Sequence, residues 1–206
     1  VQIREIHEAG HEVGSHTFHH DWLPALNPKA LKETLVKSKD ALEQCIGAPV
    51  TSFVPPYNQP FDYPQVGSVS LAERRAVKEE RTDLGRLCLT LKETGYQFCR
   101  VAYRPITTRI AEMIRRKRLD QPARLTTIKG VTCVRLNTPG GFDTPTLDML
   151  NQCTENGGII VAYGHPHSLT AGNSQDESWL VPFLEKVQTL QKQGLLKVRL
   201  PRDLIN

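Results

Sequence analysis

Residues 10–20 read Gly-His-Glu-Val-Gly-Ser-His-Thr-Phe-His-His and hold four of the chain's seven histidines. His16 and His20 stand at an i, i+4 interval. That spacing lets two side chains converge on one point, across a turn of helix or around a tight loop at the end of a strand. Neutral imidazole is a good ligand for Zn²⁺ and its first-row neighbours, so a metal site is one reading of the pair. A polar loop with surface histidines is the other, because H-x-x-x-H is a short and common pattern. Asp21 follows directly. It would either hold an imidazole N–H from behind or cap the next turn.

Two later segments carry further candidates. Val54-Pro55-Pro56-Tyr57 ends a short apolar run, and His165 follows the apolar run Ile159–Tyr163, with His167 just beyond. The proline pair either stiffens a functional loop or only terminates a strand. Asp143, next to Gly140-Gly141, either lines a cleft or N-caps a helix; its place before Thr144-Pro145 favours the cap.

Together these three stretches resemble the polysaccharide deacetylases of carbohydrate esterase family 4, the group sharing the NodB homology domain. Residues His11 to His20 match the family's first histidine motif position by position, and Val54–Tyr57 matches most of its proline-tyrosine motif. The resemblance implies a metal-dependent hydrolase that removes N-acetyl groups from a sugar in a polysaccharide or glycoconjugate. It implies His16 and His20 as metal ligands, and zinc as the metal, with cobalt, manganese or nickel as alternatives. His165, ahead of His167, takes the role of acid, and the Tyr57 backbone N–H helps hold the oxyanion. The family does not use the position of His19. The implied fold is α/β, a distorted and incomplete (β/α)7 barrel.

The chain departs from the family in two ways. The family carries an Asp-Asp strand ahead of the histidine motif, supplying the catalytic base and a third ligand, and no Asp-Asp pair occurs here. Val54 also stands where the family has an arginine that orients the base. Residues 1–206 are therefore expected to be a single domain of this type lacking its first strands, with weak or no turnover by themselves. The alternative is a catalytically inactive carbohydrate-binding or interaction domain of the same fold. A third reading is a metal hydrolase acting on a non-sugar amide.

The chemistry explains the residue types. An amide is resonance-stabilised and water is a poor nucleophile. A metal lowers the bound water's pKa towards about 7 and polarises the carbonyl. An acid must then protonate the departing amine, and histidine suits that task near neutral pH.

Composition sets the remaining bounds. At 206 residues, 39% hydrophobic and 23% charged, the chain reads as globular with ample core. No apolar run approaches the roughly 18–20 residues of a membrane span. The net charge of +4 owes most to Arg115-Arg116-Lys117-Arg118, which reads as a solvated helix face. No nucleic-acid motif accompanies it, so no such partner is expected. Five scattered cysteines without a C-x-x-C pair read as buried free thiols and favour a cytoplasmic location, with the cell envelope or secretion as alternatives.

The elements that must position these residues alternate. Ile3, Ile6 and Ala9 mark the apolar face of an opening helix ending at Gly10, and Glu12–Ser15 reads as a strand presenting His16. Asn27-Pro28 starts a helix through Leu31, Leu35, Leu42 and Cys45 that stops at Gly47. Strands are expected over Ser52–Val54, Tyr96–Tyr103, Thr127–Leu136, Ile159–Tyr163 and Leu195–Leu200. Helices are expected over Ser70–Leu91 and Ile106–Leu119, from Asp143, and through Leu180–Leu190.

Overall fold

The computed structural model describes residues 2–58, 83–102, 106–115 and 121–205. The parts of the expected elements at residues 70–82, Tyr103 and Arg116–Leu119 lie outside these. The chain divides into two compact units. The first comprises residues 1–105, 125–134 and 200–206, and the second residues 106–124 and 135–199.

In the first unit, helix α1 spans Gln2–Glu8. Its apolar face is not buried as expected: Ile3 and Ile6 are exposed. The helix is tied down by polarity instead, with Arg4 Nε donating to the Cys45 carbonyl at 2.9 Å. Helix α2, Pro28–Ile46, has the anticipated ends. Asn27 Oδ1 accepts from the Ala30 N–H at 2.9 Å, and Gly47 closes the helix at φ 70°, where a Cβ would be strained. Leu31 and Leu35 turn its apolar stripe inward.

Strand β1 is only Ser52–Phe53, cut short by Pro55-Pro56. Ser15 bridges in parallel to Phe53, so the expected strand Glu12–Ser15 shrinks to one paired residue. That bridge is two hydrogen bonds of 2.9 Å, Ser15 N–H to Ser52 O and Val54 N–H to Ser15 O. A Cβ on Gly14 would meet the Ser52 carbonyl at 3.2 Å, which is why a glycine sits at this close approach. Helix α3 spans Leu84–Glu93 under an Asp83 cap. Strand β2, Phe98–Val101, is buried throughout and runs parallel to β1.

The strand expected across Thr127–Leu136 is a hairpin, β3 (Leu125–Ile128) and β4 (Val131–Arg135), paired antiparallel. Lys129 and Gly130 turn it with φ of 51° and 82°. Two successive left-handed residues match the twist of a tight hairpin. The sheet order is β1-β2-β4-β3. Among the described residues these strands form an open sheet of mixed parallel and antiparallel pairing. Leu35, Val50, Phe53, Leu87, Leu91 and Val131 fill the core beside it. Tyr96 joins them, donating its hydroxyl to the Leu35 carbonyl at 3.0 Å, and burial is the main cause pushing its phenol up to about 12.

In the second unit, α4 spans Ile106–Arg115, α5 Thr144–Asn156 and α6 Glu177–Lys192. Leu150, Phe183 and Leu190 make a small core there. Asp143 occupies the N-cap of α5, as expected, but its side chain makes no cap bond. Ile159–Tyr163 is half-buried and irregular except for a bridge from Ile159 to Ala123. The reason is Asn137, which does the work of a neighbouring strand with its side chain. Its Nδ2 donates to Gln121 O at 3.1 Å and Ile159 O at 2.9 Å, and its Oδ1 accepts from the Val161 N–H at 3.0 Å. Leu195–Leu200, also expected as a strand, is irregular up to the 3-10 turn Pro201–Leu204. Asn137→Ala takes this partner from the half-buried Val161 N–H and from the carbonyls of Gln121 and Ile159, of which, among the described residues, only Ile159 O keeps another donor, the Ala123 N–H. It should lower unfolding free energy by about 2–4 kcal/mol, measurable by urea titration.

Candidate functional site

The His-x-x-x-His segment is a tight loop, not a helical turn. Thr17 and His20 both have left-handed backbones, φ 65° and 56°. Such conformations in residues bearing a Cβ cost about 1–3 kcal/mol each and persist only where neighbours hold them. Here Thr17 Oγ1 accepts from the Asp21 N–H at 2.7 Å, Asp21 Oδ2 accepts from the Thr34 hydroxyl at 2.6 Å, and Thr34 Oγ1 accepts from the Phe18 N–H at 3.1 Å. Asp21 therefore braces the loop against α2, closer to the capping alternative than to support of an imidazole.

Partial burial works to raise the Asp21 pKa, but the hydrogen bonds from Thr34 and the His19 backbone outweigh it and hold it below the ordinary value. A depressed carboxylate stabilises the fold above its unfolded pKa, about 3.9, and that contribution vanishes as pH falls through the folded value. Asp21→Asn should accordingly be less stable than the parent at pH 7. The gap should close as the pH drops below the ordinary carboxylate range, as thermal melts across pH 2–7 would read.

The loop brings His16 and His20 together, with ring centroids 4.9 Å apart and planes at 69°. Both residues are exposed. His16 Nδ1 lies 2.5 Å from the Val54 carbonyl. A carbonyl can only accept, so Nδ1 carries the proton and Nε2 is the acceptor nitrogen of the neutral ring. Val54 thus acts through its backbone, which any residue there would supply. The His19 ring meets Phe18 edge-on, with centroids 4.7 Å apart.

Tyr57 is left-handed too, φ 54°, within the 3-10 turn Pro56–Asn58. Its ring meets His20 edge-on at 4.7 Å and Trp22 at 5.2 Å. The rings of His16, His20, Tyr57 and Trp22 thus run in sequence. Among the described residues, Trp22 Nε1 is buried without a hydrogen-bond partner. Arg100, on β2 and 8% exposed, donates from Nη2 to the Pro55 carbonyl at 3.4 Å. Sequence reasoning missed both residues. An arginine inside the apolar strand Phe98–Val101 was the available signal for the second.

His165 and His167 belong to the second unit. Gln175 Oε1 accepts from the His165 N–H at 2.7 Å and lies 3.0 Å from His165 Nδ1. An amide oxygen only accepts, so Nδ1 again carries a proton, and in the imidazolium Nε2–H is the other donor. No spacing in the sequence pointed to Gln175. The His165 and His167 rings lie 5.3 Å apart, so they are close neighbours on one loop.

His16 and His20 fit as two donors of a zinc-type centre, by ligand chemistry and by the fixed tautomer of His16. Among the described residues, no group of three or more His, Cys, Asp or Glu could hold a metal ion.

Residues 1–65 match the family model described as polysaccharide deacetylase. The resemblance carried by His11–His20 and Val54–Tyr57 lies inside that span and is borne out. A Mycobacterium smegmatis structure classed as a polysaccharide deacetylase superposes with a TM-score of 0.55 at 15% identity, covering 96% of this chain and 69% of that one. A mutant of a family 4 carbohydrate esterase pseudoenzyme with restored enzymatic activity gives a TM-score of 0.45 at 17% identity. This chain is covered over 99% of its length and spans 51% of that one. No curated protein sequence matches the chain.

Proposed function

We propose, from the polysaccharide-deacetylase sequence at residues 1–65, that the chain is part of a metal-dependent hydrolase removing N-acetyl groups from sugars in a polysaccharide or glycoconjugate. The proposed architecture is the distorted, incomplete (β/α)7 barrel of that family. The observation that carries the reading is the His16–His20 pair, converging on a braced loop with the His16 tautomer set by Val54 O.

In this reading His16 and His20 hold the metal. When bound, a divalent ion such as zinc supplies carbonyl polarisation and a more acidic water. The remaining work falls to the chain's own groups. The Tyr57 N–H donates to the developing oxyanion, and its left-handed backbone sets the direction of that N–H. The Tyr57 ring packs edge-on against His20 and is itself backed by Trp22, which limits the movement of the His20 ring. His165 is assigned the acid on its motif, and the contact with Gln175 Oε1 keeps the Nδ1 proton in place while Nε2–H is given to the leaving amine.

The test is acetate release from an N-acetylated oligosaccharide with added Zn²⁺ or Co²⁺. Turnover that is abolished by His16→Ala supports the proposal. Sugar binding with no acetate release under any metal, in protein of any length that carries residues 1–206, would identify the inactive binding domain instead.

A further inference from the structure

Three of the five cysteines sit fully buried in the core of the first unit: Cys88 on α3, Cys99 on β2 and Cys133 on β4. Cys45 is half-buried, and Cys153 lies in the second unit. Cys88 Sγ and Cys133 Sγ are 3.8 Å apart. As free thiols they fill core space and share a weak S–H···S contact, which is the plain reading of any buried cysteine pair. The geometry also admits a bond. A disulfide needs its sulfurs at about 2.05 Å, so the pair, 3.8 Å apart, must close by less than ~2 Å.

We propose that Cys88 and Cys133 form a disulfide-forming site that staples α3 to the sheet when the chain folds under oxidising conditions. The reaction is exchange with a low-molecular-weight disulfide such as oxidised glutathione. One cysteine thiolate attacks a glutathione sulfur, releases the first glutathione thiolate and forms a mixed disulfide. The second cysteine, deprotonated, attacks the protein sulfur of that mixed disulfide and releases the second glutathione thiolate. Two electrons pass from the cysteine pair to the glutathione disulfide, and the two cysteine protons end on the two glutathiones.

Burial decides when this happens. Neither Cys88 nor Cys133 reaches solvent in the folded chain. Exchange therefore belongs to the folding chain, before α3 closes on the sheet, and the native core then shields whichever state was made. The link would close a loop across 45 positions. That is long enough for a substantial loss of unfolded-state entropy.

The experiment refolds residues 1–206 from denaturant, once with reduced and oxidised glutathione and once with dithiothreitol. Free thiols are alkylated in denaturant, and peptides are mapped by mass spectrometry. The expected result is a Cys88–Cys133 linked peptide only from the glutathione sample, and a melting temperature raised by roughly 5–15 °C in that sample. Cys88→Ser should show neither. A triple variant, Cys45→Ser, Cys99→Ala and Cys153→Ala, should keep both, and it stands in if Cys88→Ser fails to fold. Full alkylation of all five thiols after oxidative refolding overturns the proposal, as does a link made through Cys99, or a linked protein that melts lower than the reduced one.

Discussion

Replacing His16 and His20 together with alanine is expected to weaken Zn²⁺ or Co²⁺ binding by more than about 10²-fold. Loss of a partner behind a ligand typically costs 10–100-fold, and removing the ligands themselves removes the bonds outright. The two rings meet at 4.9 Å on a loop whose left-handed residues are held by Thr17, Asp21 and Thr34. Both changes lie on exposed side chains, so the fold should survive, and the circular dichroism and melting temperature should stay near the parent's. The readout is metal content after dialysis, together with the visible spectrum of Co²⁺, which reports the nitrogen ligands directly. Unchanged affinity in the double variant would show that the pair is a polar surface loop and would remove the metal from the proposed reaction.

His165→Ala is expected to lower turnover by roughly 10²–10⁴ while leaving metal content unchanged. The measurement belongs to a form of the protein that releases acetate. An amine leaves poorly without a proton, so loss of the acid falls on kcat. His167→Ala is the control, and its turnover should fall far less. Gln175→Leu should sit between them, since it removes the acceptor near the His165 N–H and Nδ1 but keeps the ring. If His167→Ala shows the large loss and His165→Ala the small one, the acid is His167, and the ring contact at 5.3 Å makes that exchange of roles easy to picture.

Local chemistry was legible where it is self-contained. The ends of α2 follow from Asn27-Pro28 and Gly47, because a cap bond and a left-handed glycine involve only residues a few positions away. The histidine motif was legible for the same reason, as spacing and residue type lie within one loop. The hairpin of β3 and β4 was not, since Lys129 gives little sign of accepting a left-handed turn without its partner strands. The apolar run Ile159–Tyr163 looked like a strand because hydrophobicity reports burial and not the partner. Its partner turned out to be the side chain of Asn137, far away in sequence.

The sequence by itself determined the α/β class, the helix ends, and the pairing of candidate residues His16 with His20, because each of these rests on interactions a few residues long. Tertiary structure alone decided which conformation the motif takes. Thr34 on α2, the Val54 carbonyl after β1 and the Tyr57 ring reach the loop from other segments, and together they hold Thr17 and His20 left-handed and set the His16 tautomer. No local preference favours those backbone angles in Thr or His, so only contacts made across the fold can hold them there.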